Sequence, residues 1–384
     1  GRRRVEGAFT LAGTTGELLA VLDRHNPPPE VEAAALAAAG VVAIGGGEGW
    51  LADAGLGGEP PIPPAANGPT RGASVVGLRR FHRGLDAAVA EVLVPAAGEA
   101  PALRVVKRHL DRPGASRPAV ERARREAAVA ARVAAWDGAP RPLGLDEERA
   151  IVVFAPCPGE PLDALVRRLR FRRDDERLAA AVGAAGRWLA RYQATPLADL
   201  FDAVARAAPL ADRTGGGSQR GNGPPPVDDP SPDLRGVAAI EPGLRRRLDR
   251  LRERARPESL GPVPVHGDLW PGNLLVDGAT ARALDYEGAD LGPRYADAAW
   301  FLLHLDLYLA RPGLGRRRRA LEEAFLAGWL GDAAAADRAA LALLRAEAAV
   351  LLLRRSARGG GPRSRWRRRL LRHELARAAA EGAR

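Results

Sequence analysis

A chain of 384 residues exceeds the usual single-domain size and has ample length for two packed units, while no apolar run approaches the roughly 20 residues of a bilayer span. The single cysteine, Cys157, excludes an intramolecular disulfide and a multi-cysteine zinc site, and fits a reducing, cytoplasmic setting. A formal charge of +11 would point to polyanionic partners, but 57 of the 58 basic residues are Arg in a chain dominated by Ala, Gly, Pro and Arg, so compositional bias accounts for the charge and argues against nucleic acid.

The chain begins at Gly1 and contains no Met, as expected of a trimmed N-terminus. Residues 1–72 form an extension rich in Ala, Gly and Pro, with expected helices at Thr15–Asp23 and Pro28–Ala39 and a strand at Val41–Ile44. The glycine run Gly45–Gly47 reads as a plain turn, because no helix or trailing acidic partner completes a nucleotide loop. No function is assigned to this region.

From residue 73 the pattern changes to short apolar strands at Ser74–Leu78, Ala87–Val94 and Leu103–Lys107, separated by turn-prone stretches such as Pro95–Pro101. A helix is predicted over Arg117–Trp136, where Ala127, Ala130, Val133 and Ala134 recur at helical spacing. The β-like run Ala150–Ala155 is closed by Pro156 and Pro158. Residues 73–155 therefore read as a small antiparallel-sheet lobe with one helix, and residues 156–384 as a larger, mainly helical lobe. Helices are expected in the latter at Leu178–Ala194, Arg294–Ala310, Arg317–Leu330 and Ala334–Arg355. A Gly, Pro and Asp-rich stretch at about 208–236 is a loop-like insertion, and the Arg-rich end near Arg363–Arg372 reads as a solvated helix face.

The compositional bias makes its exceptions informative. Lys107 is the only lysine in the chain, and a compact ammonium is not interchangeable with a guanidinium fork, so this position is a candidate for a required point charge. Three of the four asparagines, Asn26, Asn67 and Asn222, lie beside Pro or Gly, where turn chemistry explains them. Asn273 does not fit that explanation.

Asn273 lies in the most informative segment, Val263–Asp277, which reads VPVHGDLWPGNLLVD. His266, Gly267 and Asp268 are followed five residues later by Asn273, the spacing of a phosphoryl-transfer loop in which an Asp accepts the nucleophile's proton and an Asn holds a metal ion. Leu274–Val276 and Ala281–Leu284 are expected strands around Asp277-Gly278, a strong hairpin signal. A four-residue connection over Asp277–Thr280 sets Asn273 opposite Leu284, immediately beside Asp285, whereas a tight two-residue turn would offset them. Two oxygen ligands are a sufficient protein share for Mg²⁺ when phosphates and waters complete the octahedron.

The pair HGDLWPGNLLVD and ALDYEGADLGPRYADAAWF resembles the signature of the aminoglycoside phosphotransferase and choline kinase superfamily, and HGDLW is also similar to fructosamine kinases. The resemblance spans roughly Ala73–Val350 and implies an α+β, two-lobed, protein-kinase-like fold that transfers the γ-phosphate of ATP, with Mg²⁺, to a hydroxyl of an aminoglycoside, sugar, ketosamine or amino alcohol. Residue by residue it implies Asp268 as the catalytic base, Asn273 and Asp285 as metal ligands, and Lys107 with its helix partner Glu126 as the nucleotide-binding pair. Glu121 is the competing partner, on a different helix face. His266, which could suggest a general base or ligand, is an implied support of the loop, Asp297 an implied structural support, Glu287 a support of the metal site, and Trp270 either a lining of the acceptor pocket or a packing residue.

The backbone of Val153–Ala155 would face adenine. His25, His82, His109, His304 and His373 lack any metal-ligand spacing and read as incidental. The turn Arg79–Asp86 departs from the family pattern, offering only Gly84 where small residues are usual. Three other readings compete: a catalytically inactive kinase-like nucleotide-binding module, a nucleic-acid-binding protein using its Arg-rich surface, and a protein kinase, which the missing activation segment disfavours.

Overall fold

The computed structural model describes residues 77–83, 87–96, 99–111, 117–170, 174–207, 244–310, 313–356 and 362–381. The helices and strand expected within residues 1–72, the first residues of the strand at Ser74–Leu78, Gly84 and the insertion at 208–236 lie outside them. In chain order the elements begin with β1 (Gly77–Arg83), β2 (Ala87–Ala96), β3 (Glu99–His109), α1 (Ala119–Ala134), β4 (Pro142–Asp146), β5 (Ile151–Phe154), β6 (Glu160–Pro161), α2 (Leu162–Leu169), α3 (Asp175–Gln193) and α4 (Ala198–Ala207). They continue with α5 (Leu244–Arg254), α6 (Pro257–Leu260), β7 (Pro262–Val265), β8 (Leu274–Asp277), β9 (Thr280–Ala283), β10 (Asp290–Pro293), α7 (Ala296–Leu309), α8 (Gly315–Leu330), α9 (Arg338–Ser356) and α10 (Pro362–Glu381).

The chain divides into two units, Gly1–Cys157 with Leu197–Asn222, and Pro158–Pro196 with Gly223–Arg384. In the first, five strands form one antiparallel sheet in the order β1-β2-β3-β5-β4. Alternation along β3 sends Lys107 and His109 to the same face, two residues apart. Helix α1 begins where the Asp111 carboxylate accepts from the Ala119 backbone N–H at 2.7 Å. That hydrogen bond satisfies one of the donors left over at a helix start and ties α1 to the end of β3. Arg122 adds a second tie, donating to the Leu110 carbonyl at 2.7 Å. The α1 face that is buried carries Ala123, Ala127, Ala130 and Val133, and also Glu126. A second helix, α4, packs on α1 in this unit, with the Arg125 guanidinium over the Phe201 ring at 5.5 Å.

Two expectations change here. Strand β1 runs on to Arg83, so most of the expected turn Arg79–Asp86 is strand. Strand β5 is paired on both edges, with β3 and with β4, and the Ala155 N–H donates to the Arg141 carbonyl at 2.8 Å. Val153 and Phe154 are thus paired within the sheet and the Ala155 N–H is engaged, so less of this backbone is open to adenine than the sequence suggests. Strand β4 escaped the sequence pattern because Pro142 and Gly144 interrupt it.

The second unit is mainly helical. Helices α3 and α8 cross at very short range: a Cβ at Gly186 would lie 2.1 Å from the Phe325 carbonyl oxygen, and one at Gly328 would lie 2.2 Å from that of Gly183. Helices α5, α7, α9 and α10 share a core that includes Leu248, Trp300, Leu303, Leu343 and Leu371. Arg345 of α9 is buried and joins Asp306 of α7 to Glu374 of α10, so the last helix is held by ion pairs as well as by apolar packing. Two small antiparallel sheets, β7 with β10 and β6-β8-β9, frame the segment that contains His266–Asn273. Among the described residues no helix is long and apolar enough to cross a membrane.

Candidate active site

In the first unit, Lys107 and Glu126 are both buried, and the lysine Nζ lies 2.8 Å from Glu126 Oε2. Glu121 is engaged elsewhere, 3.3 Å from Arg117 and 3.9 Å from Arg125. His109, incidental by its sequence spacing, is buried with its Nε2 2.8 Å from the same Glu126 oxygen. The signal was available in the sequence: on a strand, residue 109 shares the face of residue 107. Burial alone would raise the Glu126 carboxyl, but Lys107 and His109 outweigh it and hold the group below the usual carboxylate range.

In the second unit, β7 delivers the chain to His266 and β8 carries it away from Asn273. The β8–β9 register pairs Leu274 with Ala283 and Asp277 with Thr280. The Leu284 N–H donates to the Asn273 carbonyl at 2.8 Å, so Asn273 does stand opposite Leu284, directly before Asp285. Pro271–Asn273 form a single 3₁₀ turn that brings Asn273 back to Asp268. Its Nδ2 donates to the Asp268 carbonyl at 3.0 Å and lies 3.4 Å from Asp268 Oδ2. The Asp268 carboxylate also accepts a hydrogen bond from the Trp300 indole Nε1–H, at 3.0 Å on Oδ1.

His266 is fully buried. Its Nδ1 lies 3.4 Å from the Asp268 N–H and its Nε2 lies 2.9 Å from the Leu284 carbonyl, which together put the ring proton on Nε2. The imidazole therefore links the Asp268 end of the loop to the residue before Asp285. Tyr286 packs on it at 4.9 Å between ring centroids, and the Tyr192 hydroxyl donates to the Val265 carbonyl at 3.3 Å.

Gly267 explains why this loop carries glycine beside His266. Its φ is +80°, and a Cβ there would lie 2.3 Å from the Gly288 carbonyl oxygen. Gly267→Ala is therefore expected to destabilise the protein by about 2 kcal/mol or more, read as a fall in the denaturant midpoint.

Asp297, buried at the start of α7, accepts the backbone N–H groups of His266 at 2.6 Å and Gly267 at 3.1 Å, one on each carboxylate oxygen. Burial pushes its carboxyl up to about 6 against those two donors. The unfolded chain releases this proton near pH 4 and the folded protein near pH 6, so the contribution to stability falls as pH rises between them, by about 3 kcal/mol at most. Asp297→Asn should abolish that slope. It should also lower stability at neutral pH by about 1 to 3 kcal/mol if the amide leaves one N–H unanswered. Denaturation at a series of pH values measures both effects.

Asp285 adopts the left-handed backbone conformation, with φ 70° and ψ 64°, which Asp tolerates better than most residues. Glu287 is half-buried in the 3₁₀ turn Tyr286–Gly288 that follows. Trp270 packs against the apolar core, its ring 5.9 Å from that of His304. Among the described residues, no group of three or more His, Cys, Asp and Glu side chains could hold a metal ion alone. A cation here would need oxygens from a bound substrate. The donor set suits such a shared site: with its nitrogen committed to Asp268, the Asn273 amide has its oxygen to offer, and Asp285 supplies a hard carboxylate.

A family model described as the phosphotransferase enzyme family matches residues 77–344, from β1 into α9. No curated protein matches the sequence. Among solved structures, a choline/ethanolamine kinase family protein from Mesorhizobium loti is similar at 15% identity, covering 79% of this chain and 92% of its own, with a TM-score of 0.48. The amicoumacin kinase hAmiN in complex with AMP-PNP, Ca²⁺ and Ami is similar at 13% identity, with 78% and 87% covered and a TM-score of 0.48. The GDP complex of aminoglycoside 2'-phosphotransferase-IIIa is similar at 14% identity, with 80% and 94% covered and a TM-score of 0.42.

Proposed function

Because the chain belongs to the phosphotransferase enzyme family, we propose that it transfers the γ-phosphate of ATP, with Mg²⁺, to a hydroxyl of a small molecule such as an aminoglycoside, sugar, ketosamine or amino alcohol. The observation that carries this reading is the loop geometry. Asp268 is held from two sides while Asn273 turns back to it and, through the hairpin register, stands next to Asp285.

In this mechanism Asp268 orients the acceptor hydroxyl and takes its proton as the oxygen bonds to the γ-phosphorus and the bond to the ADP oxygen breaks. Asn273 and Asp285 would hold Mg²⁺, which supplies neutralisation of phosphate charge when bound. Lys107, steadied by Glu126, would meet the nucleotide phosphates. Asp297 and His266 act through the loop, fixing its backbone so that Asp268 needs little reorganisation.

The test is ADP release by the full chain with Mg-ATP across a panel of hydroxylated small molecules. Acceptor-dependent release is expected. If no acceptor stimulates release and calorimetry detects no Mg-ATP binding, the proposal is wrong.

A further inference from the structure

Two side chains of helix α7 hydrogen-bond to the loop. Asp297 takes the backbone N–H groups of His266 and Gly267, and Trp300, three residues on, donates its indole N–H to Asp268 Oδ1 at 3.0 Å. That spacing puts both on one helical face. The same face therefore grips the loop by its backbone and by the carboxylate itself.

Trp300 is well placed to hold a fixed orientation. It is 9% exposed and belongs to the apolar core with Leu303 and Leu343. The His304 ring stands 4.8 Å from it, and His304 Nδ1 lies 2.9 Å from the Trp300 carbonyl oxygen. An indole N–H can only donate, so its sole polar role towards a carboxylate is to occupy one oxygen. The other Asp268 oxygen, Oδ2, accepts a long hydrogen bond from Asn273 Nδ2 at 3.4 Å.

We propose that Trp300 is a positioning residue for phosphoryl transfer: its N–H fixes Oδ1 and so presents Oδ2 of Asp268 as the proton acceptor. This rests on the reading of Asp268 as the base. A freely rotating carboxylate would reach the productive orientation in only part of its population. The loss would appear in kcat and not in substrate binding.

Trp300→Phe keeps an aromatic ring in the core and removes the N–H. With an acceptor identified by the panel above, kcat should fall about 10-fold or more, while the KM values for Mg-ATP and acceptor stay unchanged. Asp268→Asn is run alongside. If Asp268→Asn is inactive and Trp300→Phe turns over like the wild type, the positioning role is overturned and the function stands. If Asp268→Asn is fully active, Asp268 is not the base and the positioning role falls with it, while the transferase function stands.

A spectroscopic measurement covers poor folding of Trp300→Phe and needs no acceptor. In the indole N–H region of the NMR spectrum, where the seven tryptophans report, Asp268→Ala should move one signal upfield and speed its exchange with solvent. In a folded Trp300→Phe that signal is the one missing. Indole signals that all stay in place in Asp268→Ala overturn the proposal.

Discussion

Asp268→Asn is expected to lower turnover by about 10²- to 10⁴-fold while leaving Mg-ATP affinity intact. The substitution preserves volume, and its amide oxygen can still accept the Trp300 N–H, so the core around α7 has no reason to rearrange. What disappears is the group that receives the hydroxyl proton. The new amide nitrogen would also face Asn273 Nδ2 where Asp268 Oδ2 stood at 3.4 Å, setting donor against donor and disturbing the loop locally. ADP release measures the first effect and calorimetric titration with Mg-ATP the second. Turnover at the wild-type rate would remove Asp268 from the role of base, whatever the loop geometry suggests.

The loop was legible because its chemistry and its turn signals lie within one short segment. His266, Asp268 and Asn273 are close in sequence, and the Asp277-Gly278 signal located the hairpin that brings Asp285 to Asn273. The structure resolves the alternative left open there. The turn is tight, with Gly278 and Ala279 between the paired Asp277 and Thr280, yet its register is the one that sets Asn273 opposite Leu284. The helices at 175–193, 296–309 and 315–330 were legible for a similar reason, since strong apolar content survives errors of a few residues at either end.

What escaped depended on tertiary partners. Trp300 reads as one more apolar residue in a core helix, because its partner Asp268 is 32 residues away. His109 shares the β3 face of Lys107, but only the meeting of β3 with α1 gives it Glu126. Strand β7 carries Pro262 and Pro264, which demote it on pattern alone, yet it pairs with the equally irregular β10. Helix α5 hides a sparse apolar pair, Leu248 and Leu251, among six arginines. Its burial becomes evident only against α9 and α10.

The lone lysine gives the second large effect. Lys107→Arg keeps the positive charge, so if charge alone mattered the enzyme would tolerate it. The site argues otherwise. Lys107 is 7% exposed, its Nζ is seated 2.8 Å from Glu126 Oε2, and His109 Nε2 approaches the same oxygen at 2.8 Å. A guanidinium is broader than an ammonium and would have to displace His109 or strain the sheet, a penalty of about 1 to 3 kcal/mol for overpacking. It would also direct its fork at Glu126 in a geometry that an ammonium does not need. We expect kcat/KM for Mg-ATP to fall about 100-fold, equivalent to about 3 kcal/mol of lost transition-state stabilisation. Glu126→Gln separates charge from shape: it preserves the side-chain volume but leaves Lys107 without its anionic partner in a buried site, which should destabilise the first unit more than Lys107→Arg does. Steady-state kinetics on the first variant and denaturation of both decide the matter. A fully active Lys107→Arg would mean that any cation suffices at this position, and that the single lysine in a chain of arginines is an accident of composition.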